Sequence, residues 1–328
     1  MRFIALSVSC LALSLAAPLS AAPSEEAATY FDHAAKLLKE RHYKTQTVDW
    51  SQLEPRARAL IADAETTGDT YPAIRLLIDE LGEKHSFLIT PQVLEQDRRE
   101  NGPEAPEPKA PPLPEGRMAH DGVGYVSIPQ LKMLRGGQEL ASQYSLALQQ
   151  ALSRLDGQAT CGWVVDLRGN TGGNMWPMLW GLDPLLGEGA FGYFVTKTGL
   201  VPWTRTEEGI MGAREVDPAI GPAFRLANED APVAVLLDGK TMSAGEMVAL
   251  ALIGREGVRS FGQPSGGFST ANMTFPLSDG ARVVITVANA ADRLERVADG
   301  PIVPDVETPA ADAERAAVEW LNENCGSA

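Results

Sequence analysis

An α/β fold is the architecture this chain predicts, and three observations carry that expectation. From Gly122 onward, strand-like apolar runs alternate with helical patterns. Two of those runs lead through glycine- or serine-bearing turns straight into helices. Ahead of them lies a helical region, set off by a proline-rich stretch. With 328 residues, 44% hydrophobic and 22% charged, the chain can form one large domain or two smaller ones. Its formal net charge of −15 argues against a nucleic-acid binder, which needs a basic face.

Residues 1–22 read as a secretory signal. Arg2 supplies the positive end, Phe3 to Leu15 the apolar run, and Leu19-Ser20-Ala21-Ala22 the small residues for cleavage. The run is short for a membrane span and has no stop-transfer flank, so no membrane anchor is expected after cleavage. A periplasmic or secreted location follows. Cys10 is lost with the signal. Cys161 and Cys325 then either pair, as an oxidising compartment allows, or remain free and buried.

Residues 23–96 form the helical region. Ala28, Phe31, Ala34, Ala35, Leu37 and Leu38 recur at helical spacing. A second helix spans Leu53 to Ala64, with Ser51 as its cap. A third starts at Tyr71-Pro72, where proline suits the first turn, and stops at Gly82. Residues 97–117 read as a linker, because six prolines fall between Pro103 and Pro114. The α/β domain occupies 118–328. Its expected strands are Gly124–Ile128, Cys161–Leu167, Phe191–Val195, Val233–Leu237, Val258–Gly262 and Arg282–Val287, in a largely parallel sheet. Helices are expected at Gln138–Leu152, Met175–Leu182, after Ser243, and from Ala310 to Asn324.

Two loops follow buried strands, where the carboxyl edge of such a sheet places ligands. One is Gly169-Asn170-Thr171-Gly172-Gly173, which lacks both the Walker A ending and the dinucleotide glycine spacing. The other is Lys240-Thr241-Met242-Ser243-Ala244-Gly245-Glu246. A serine at a strand-to-helix junction meets free N–H groups and a positive dipole end, both favourable to a developing anion. The same serine, with Glu246 three positions on, also reads as a capping box, and spacing alone favours the cap. Position 241 is Thr, so this is not the Gly-x-Ser-x-Gly elbow of an α/β-hydrolase. A serine nucleophile needs a base. Of the four histidines, His33 and His42 read as surface residues of the first helix and His120 as part of the linker's end. His85 follows a helix stop and precedes an apolar run, which suits a rigid group facing a cleft. No histidine, cysteine or acidic spacing suggests a metal, and no cofactor is implied.

Together these segments resemble the S41 peptidases, the tail-specific or C-terminal processing protease family. Asp166-Leu167-Arg168-Gly169-Asn170-Thr171-Gly172-Gly173 is similar to that family's Asp-Leu-Arg-x-Asn-x-Gly-Gly loop. Thr241 to Glu246 resembles its nucleophile segment, Ser260 to Gly267 its Gly-x-Pro-Thr-x-Gly turn, and Gly300 to Asp305 its Gly-Ile-x-Pro-Asp signature. The resemblance implies a crotonase/ClpP-like α/β core with an N-terminal helical part, acting on a peptide or protein substrate. In one branch of the family a lysine acts as base, but its position here holds Phe268, and no lysine follows Lys240. The tricorn-like branch takes a histidine from the helical part, and His85 matches it, with Lys84 where that pattern has a serine. The resemblance therefore implies Ser243 as nucleophile and His85 as base, oriented by an acid from Asp292, Glu295 or Asp299, with Asp292 preferred because it follows a strand. Ala244 and Gly172 or Gly173 would form the oxyanion hole. No PDZ domain fits between Phe87 and Gly122. The other readings are a binding protein on the same fold and an ester hydrolase.

Overall fold

The structure, a computed structural model, describes residues 22–101, 112–132, 137–206, 209–211 and 224–325. The signal-like residues 1–21 and the centre of the proline-rich stretch lie outside these. The chain begins with α1 (Glu25–Arg41), α2 (Trp50–Ala59), α3 (Tyr71–Asp79), the short β1 (Phe87–Ile89) and α4 (Pro91–Asn101). Then follow β2 (Gly116–His120), β3 (Val123–Ser127), α5 (Gly137–Leu155), β4 (Gly162–Asp166) and α6 (Met175–Leu186). A meander, β5 (Gly189–Thr196), β6 (Gly199–Thr206) and β7 (Gly209–Met211), leads to β8 (Val233–Leu237) and α7 (Ala244–Leu252). The chain closes with β9 (Val258–Gly262), β10 (Thr270–Pro276), β11 (Arg282–Ala291), β12 (Val306–Glu307) and α8 (Ala313–Glu323).

The strands make two sheets rather than the single, largely parallel one expected. The first has the order β12-β9-β8-β4-β3-β2 and is parallel except for β2. Its central strands are apolar throughout because both faces are covered. Trp163, Val165, Val233, Val235 and Leu237 join the core under α5, α6 and α7. The alternate residues Val164, Ala234 and Leu236 meet Ala313, Ala317 and Leu321 of α8. The second sheet is antiparallel, β1-β11-β5-β6-β7, with β10 on the other edge of β11. A disulfide between Cys161 and Cys325 ties the start of β4 to the end of α8. Closing so long a loop restricts the unfolded chain and contributes about 2–5 kcal/mol.

The N-terminal helices have no core of their own. Phe31, Ala34 and Leu38 of α1 share one with Ile74 and Leu77 of α3 and with Val283 and Ile285 of β11. Their periodicity therefore reports a face that docks on the second sheet. α1 is capped by Ser24, whose hydroxyl accepts the Ala27 N–H. The cap of α2 is Asp49 rather than Ser51; its carboxylate accepts the N–H groups of both Ser51 and Gln52. Pro72 sits in the first turn of α3 as expected. His33 is exposed, but His42 is fully buried, because the chain turns back onto β11 and the Tyr43 N–H bonds Thr286 O at 3.1 Å. Of the expected linker, 97–101 continue α4 and 116–117 open β2, a strand that also takes in His120. Residues 102–115 alone separate α4 from β2, too short a stretch for a further domain.

Candidate active site

The carboxyl ends of β4 and β8 lie side by side, since Asp166 pairs with Leu236 in parallel register. The two expected loops therefore meet. Met242 N–H bonds Asn170 O at 2.9 Å, Thr241 Oγ1 donates to Leu167 O at 2.9 Å, and the Gly169 N–H bonds Asp238 Oδ1 at 3.0 Å. Asn170 is fully buried and cross-links the floor, donating to Ile128 O and accepting the Gly172 N–H at 2.9 Å. Asp166 and Arg168 face away from this junction in role: their side chains pair with each other, and Arg168 also donates to Ala310 O, which anchors the chain before α8.

Ser243 stands at the turn between β8 and α7 with φ 51° and ψ −118°. Such a backbone costs a non-glycine residue about 1–3 kcal/mol, and surrounding structure must hold it there. Glu246 supplies that hold. It is fully buried and accepts the N–H groups of Ser243 (3.0 Å), Gly267 (2.8 Å) and Phe268 (2.7 Å) and the Ser265 hydroxyl. Burial raises its pKa, and those four donors oppose the rise. Gly172 faces the serine directly: a Cβ there, at φ 101°, would lie 2.8 Å from Ser243 Cβ. A Cβ on Gly173 would fall 1.9 Å from Leu131 O, so the loop closes only with glycine at both places.

His85 is held from three sides. The Glu83 carboxylate accepts the N–H groups of His85 at 2.5 Å and Ser86 at 3.0 Å, fixing the turn after α3. Burial pushes the Glu83 pKa up, but hydrogen bonds from His42, Ser86, His85 and Thr286 outweigh it and bring the value to about 2. His42 Nε2 lies 3.5 Å from Glu83 Oε1, at the limit of a hydrogen bond, and His42 Nδ1 accepts the Lys44 N–H. The His85 ring lies edge-on to Phe268, with centroids 5.6 Å apart. Its Nδ1 sits 2.8 Å from Thr270 Oγ1. Burial lowers the His85 pKa, opposed by the Glu83 charge and by hydrogen bonding to Thr270.

Ser243 and His85 are not hydrogen-bonded to each other; the segment Gly266 to Thr270 links them, anchored to Glu246 at one end and His85 at the other. The structure does not bring Asp292 to His85. Its carboxylate is taken by the Arg296 guanidinium at 2.7 Å and by the N–H groups of Leu294 and Arg296, which build the turn after β11. Glu295 is exposed, and Asp299 pairs with Lys44 at 3.8 Å. The partner actually bonded to the histidine ring is Thr270, on a strand that sequence periodicity does not show. Of the expected oxyanion donors, Gly172 spends its N–H on Asn170. The N–H groups of Gly173 and Ala244 have no partner among the described residues. Among the described residues no cluster of His, Cys, Asp and Glu is arranged to hold a metal.

Comparison with known proteins identifies the family. The model of Peptidase family S41 matches residues 122–308, which span both loops and the turn beneath His85. The Nisin-resistance protein of Lactococcus lactis subsp. lactis is 30% identical over 293 residues, covering 89% of this chain and 86% of that protein. A lipoprotein from Streptococcus agalactiae shares the fold with a TM-score of 0.70 at 23% identity, over 96% of this chain and all of the other. The photosystem II D1 C-terminal processing protease shares it with a TM-score of 0.61 at 17% identity, over 87% and 93% of the two chains. The chain belongs to peptidase family S41 and is a serine-type peptidase.

Proposed function

We propose that this peptidase cleaves peptide bonds outside the cytoplasm, with Ser243 as nucleophile and His85 as general base. The observation that carries the proposal is the strained Ser243, pinned by Glu246 against Gly172. A helix cap needs no such backbone, whereas an exposed nucleophile at a turn does. Thr270 Oγ1 lies 2.8 Å from His85 Nδ1; in the tautomer this mechanism uses, it accepts the Nδ1–H and leaves Nε2 free to take the serine proton. Ser243 Oγ attacks the carbonyl carbon; His85 takes its proton and returns it to the leaving amine. The N–H groups of Ala244 and Gly173 receive the oxyanion, each worth roughly 3 kcal/mol. The catalytic hydrogen bond forms when substrate is bound, as is common where a free enzyme holds such groups apart. The location is supported by the signal-like residues 1–22 and by the Cys161–Cys325 disulfide, which persists in oxidising compartments.

The pH dependence tests His85. The base works only when neutral, and burial lowers its pKa from the ordinary 6.5. The activity of the free enzyme, followed as kcat/KM, should rise with pH along a limb centred below 6.5, and His85→Ala should lose that limb with most of the activity. A limb centred above 6.5, or one surviving in His85→Ala, contradicts the assignment.

The Lactococcus relative is named for resistance to nisin, and we extend to this chain the proposal that a peptide of that kind is its substrate. A chain of net charge −15 draws in peptides of opposite charge. Mass spectrometry of nisin after incubation with the protein should show defined fragments. Nisin left intact while other peptides are cut would remove the substrate assignment and leave the chemistry standing.

A further inference from the structure

A cavity of about 360 Å³ opens beside His85, between the Gly266–Thr270 segment and the loop Ala298–Pro301. Its size suits one large side chain. Tyr43, Phe268, Ala298 and Pro301 give it largely apolar walls. Two of the charges around it are engaged: Lys44 faces Asp299 at 3.8 Å, and Glu83 is bound by the N–H groups of His85 and Ser86. Lys84, also on the rim, is exposed to solvent.

Two polar side chains in the wall keep unused hydrogen-bonding capacity, Ser269 and Asn289. Asn289 is 5% exposed and lines the cavity. It is the cross-strand partner of Thr270, so the two side chains share a sheet face and Asn289 sits one strand away from the group that holds His85. Its Oδ1 accepts the Ala290 N–H at 2.8 Å, an N–H shared with Ser269 O at 3.1 Å. Nδ2 then offers two N–H donors, and no described residue accepts either. Ser269 Oγ, buried in the same wall, has no hydrogen-bond partner among the described residues.

We propose that this cavity receives a substrate side chain next to the scissile bond, and that Asn289 reads its tip. The reading rests on the peptidase mechanism above. Two N–H donors demand an oxygen acceptor. An ammonium tip would meet donors of its own kind. A carboxylate tip would lose its hydration, and Lys84, the lining lysine without an ion pair among the described residues, stays out in solvent. An uncharged carbonyl tip on an apolar stem fits, and glutamine combines the two, with its methylenes against Phe268 and Pro301 and its Oε1 on Asn289.

The test uses synthetic peptides that differ only beside the cleaved bond, carrying Gln, Glu, Lys or Leu. Asn289→Asp is the informative variant, because it keeps the acceptor for Ala290 N–H and replaces both donors with an oxygen. Wild type should favour Gln over Leu by about 10–100-fold in kcat/KM. Asn289→Asp should lose that ratio and move the preference toward Lys, with the change carried mainly by KM. Asn289→Ser, which replaces the two amide donors with one shorter hydroxyl and adds no charge, should sharply weaken the Gln preference without the gain for Lys and serves if the Asp variant does not fold. A wild type that prefers Glu or Lys, or variants whose profile matches wild type, would overturn the pocket assignment while leaving the peptidase reading intact. A wild type that cuts none of the peptides and resists serine-directed probes would overturn both.

Discussion

Ser243→Ala should abolish peptide hydrolysis, lowering kcat by at least about 10⁴-fold while the protein stays folded. On the proposed mechanism the side chain supplies the attacking oxygen. Its backbone also makes a second, separable expectation. At φ 51° a side chain is strained, so Ser243→Gly should be equally inactive yet more stable than wild type by about 1 kcal/mol. Thermal unfolding beside a peptide assay checks both. A glycine variant less stable than wild type would show that the serine side chain acts chiefly as a structural cap.

Glu246→Ala should damage both fold and activity. One fully buried carboxylate joins Ser243, Ser265, Gly267 and Phe268. Alanine would leave those donors buried without an acceptor, at a cost of about 3–5 kcal/mol. The catalytic consequence is larger than a helix cap would give. Gly267 and Phe268 begin the segment that runs to Thr270, so releasing them frees the support of His85 as well as the turn of Ser243. A fall in kcat/KM of about 100-fold or more is expected in the molecules that remain folded. Urea unfolding and steady-state kinetics measure the two effects. A variant as stable as wild type would contradict the clamp.

Glutamate three residues after a serine was legible in the sequence only as a capping box. Its reach to a turn some twenty residues downstream was not, because that contact depends on β9 returning beside β8. The parallel sheet was legible for a simple reason: strands covered on both faces are unbroken apolar runs, and β4 and β8 are bounded by glycine, serine or charged turns. The second sheet was less so. β10 is a partly exposed edge strand whose residues Thr270 to Pro276 mix polar and apolar types, and its existence depends on pairing with β11. Thr270 was missed with it. Asp292 looked suitable because it follows a strand, but the sequence does not reveal that Arg296, four residues on, captures its carboxylate. His42 looked like a helix-end surface residue, and its burial follows from the docking of α1 on β11. The helix stop at Gly82 and the apolar strand after His85 were legible, but the contact of its ring with Thr270 was not.

Labelling by a fluorophosphonate probe tests the central claim most directly, because the probe bonds only to a serine made nucleophilic by its surroundings. Wild type should be labelled at Ser243, as read by peptide mapping. His85→Ala should be labelled far more slowly, and Ser243→Ala not at all. A folded wild type that stays unlabelled, or a label found on another serine, would contradict the assignment of Ser243 as the activated nucleophile.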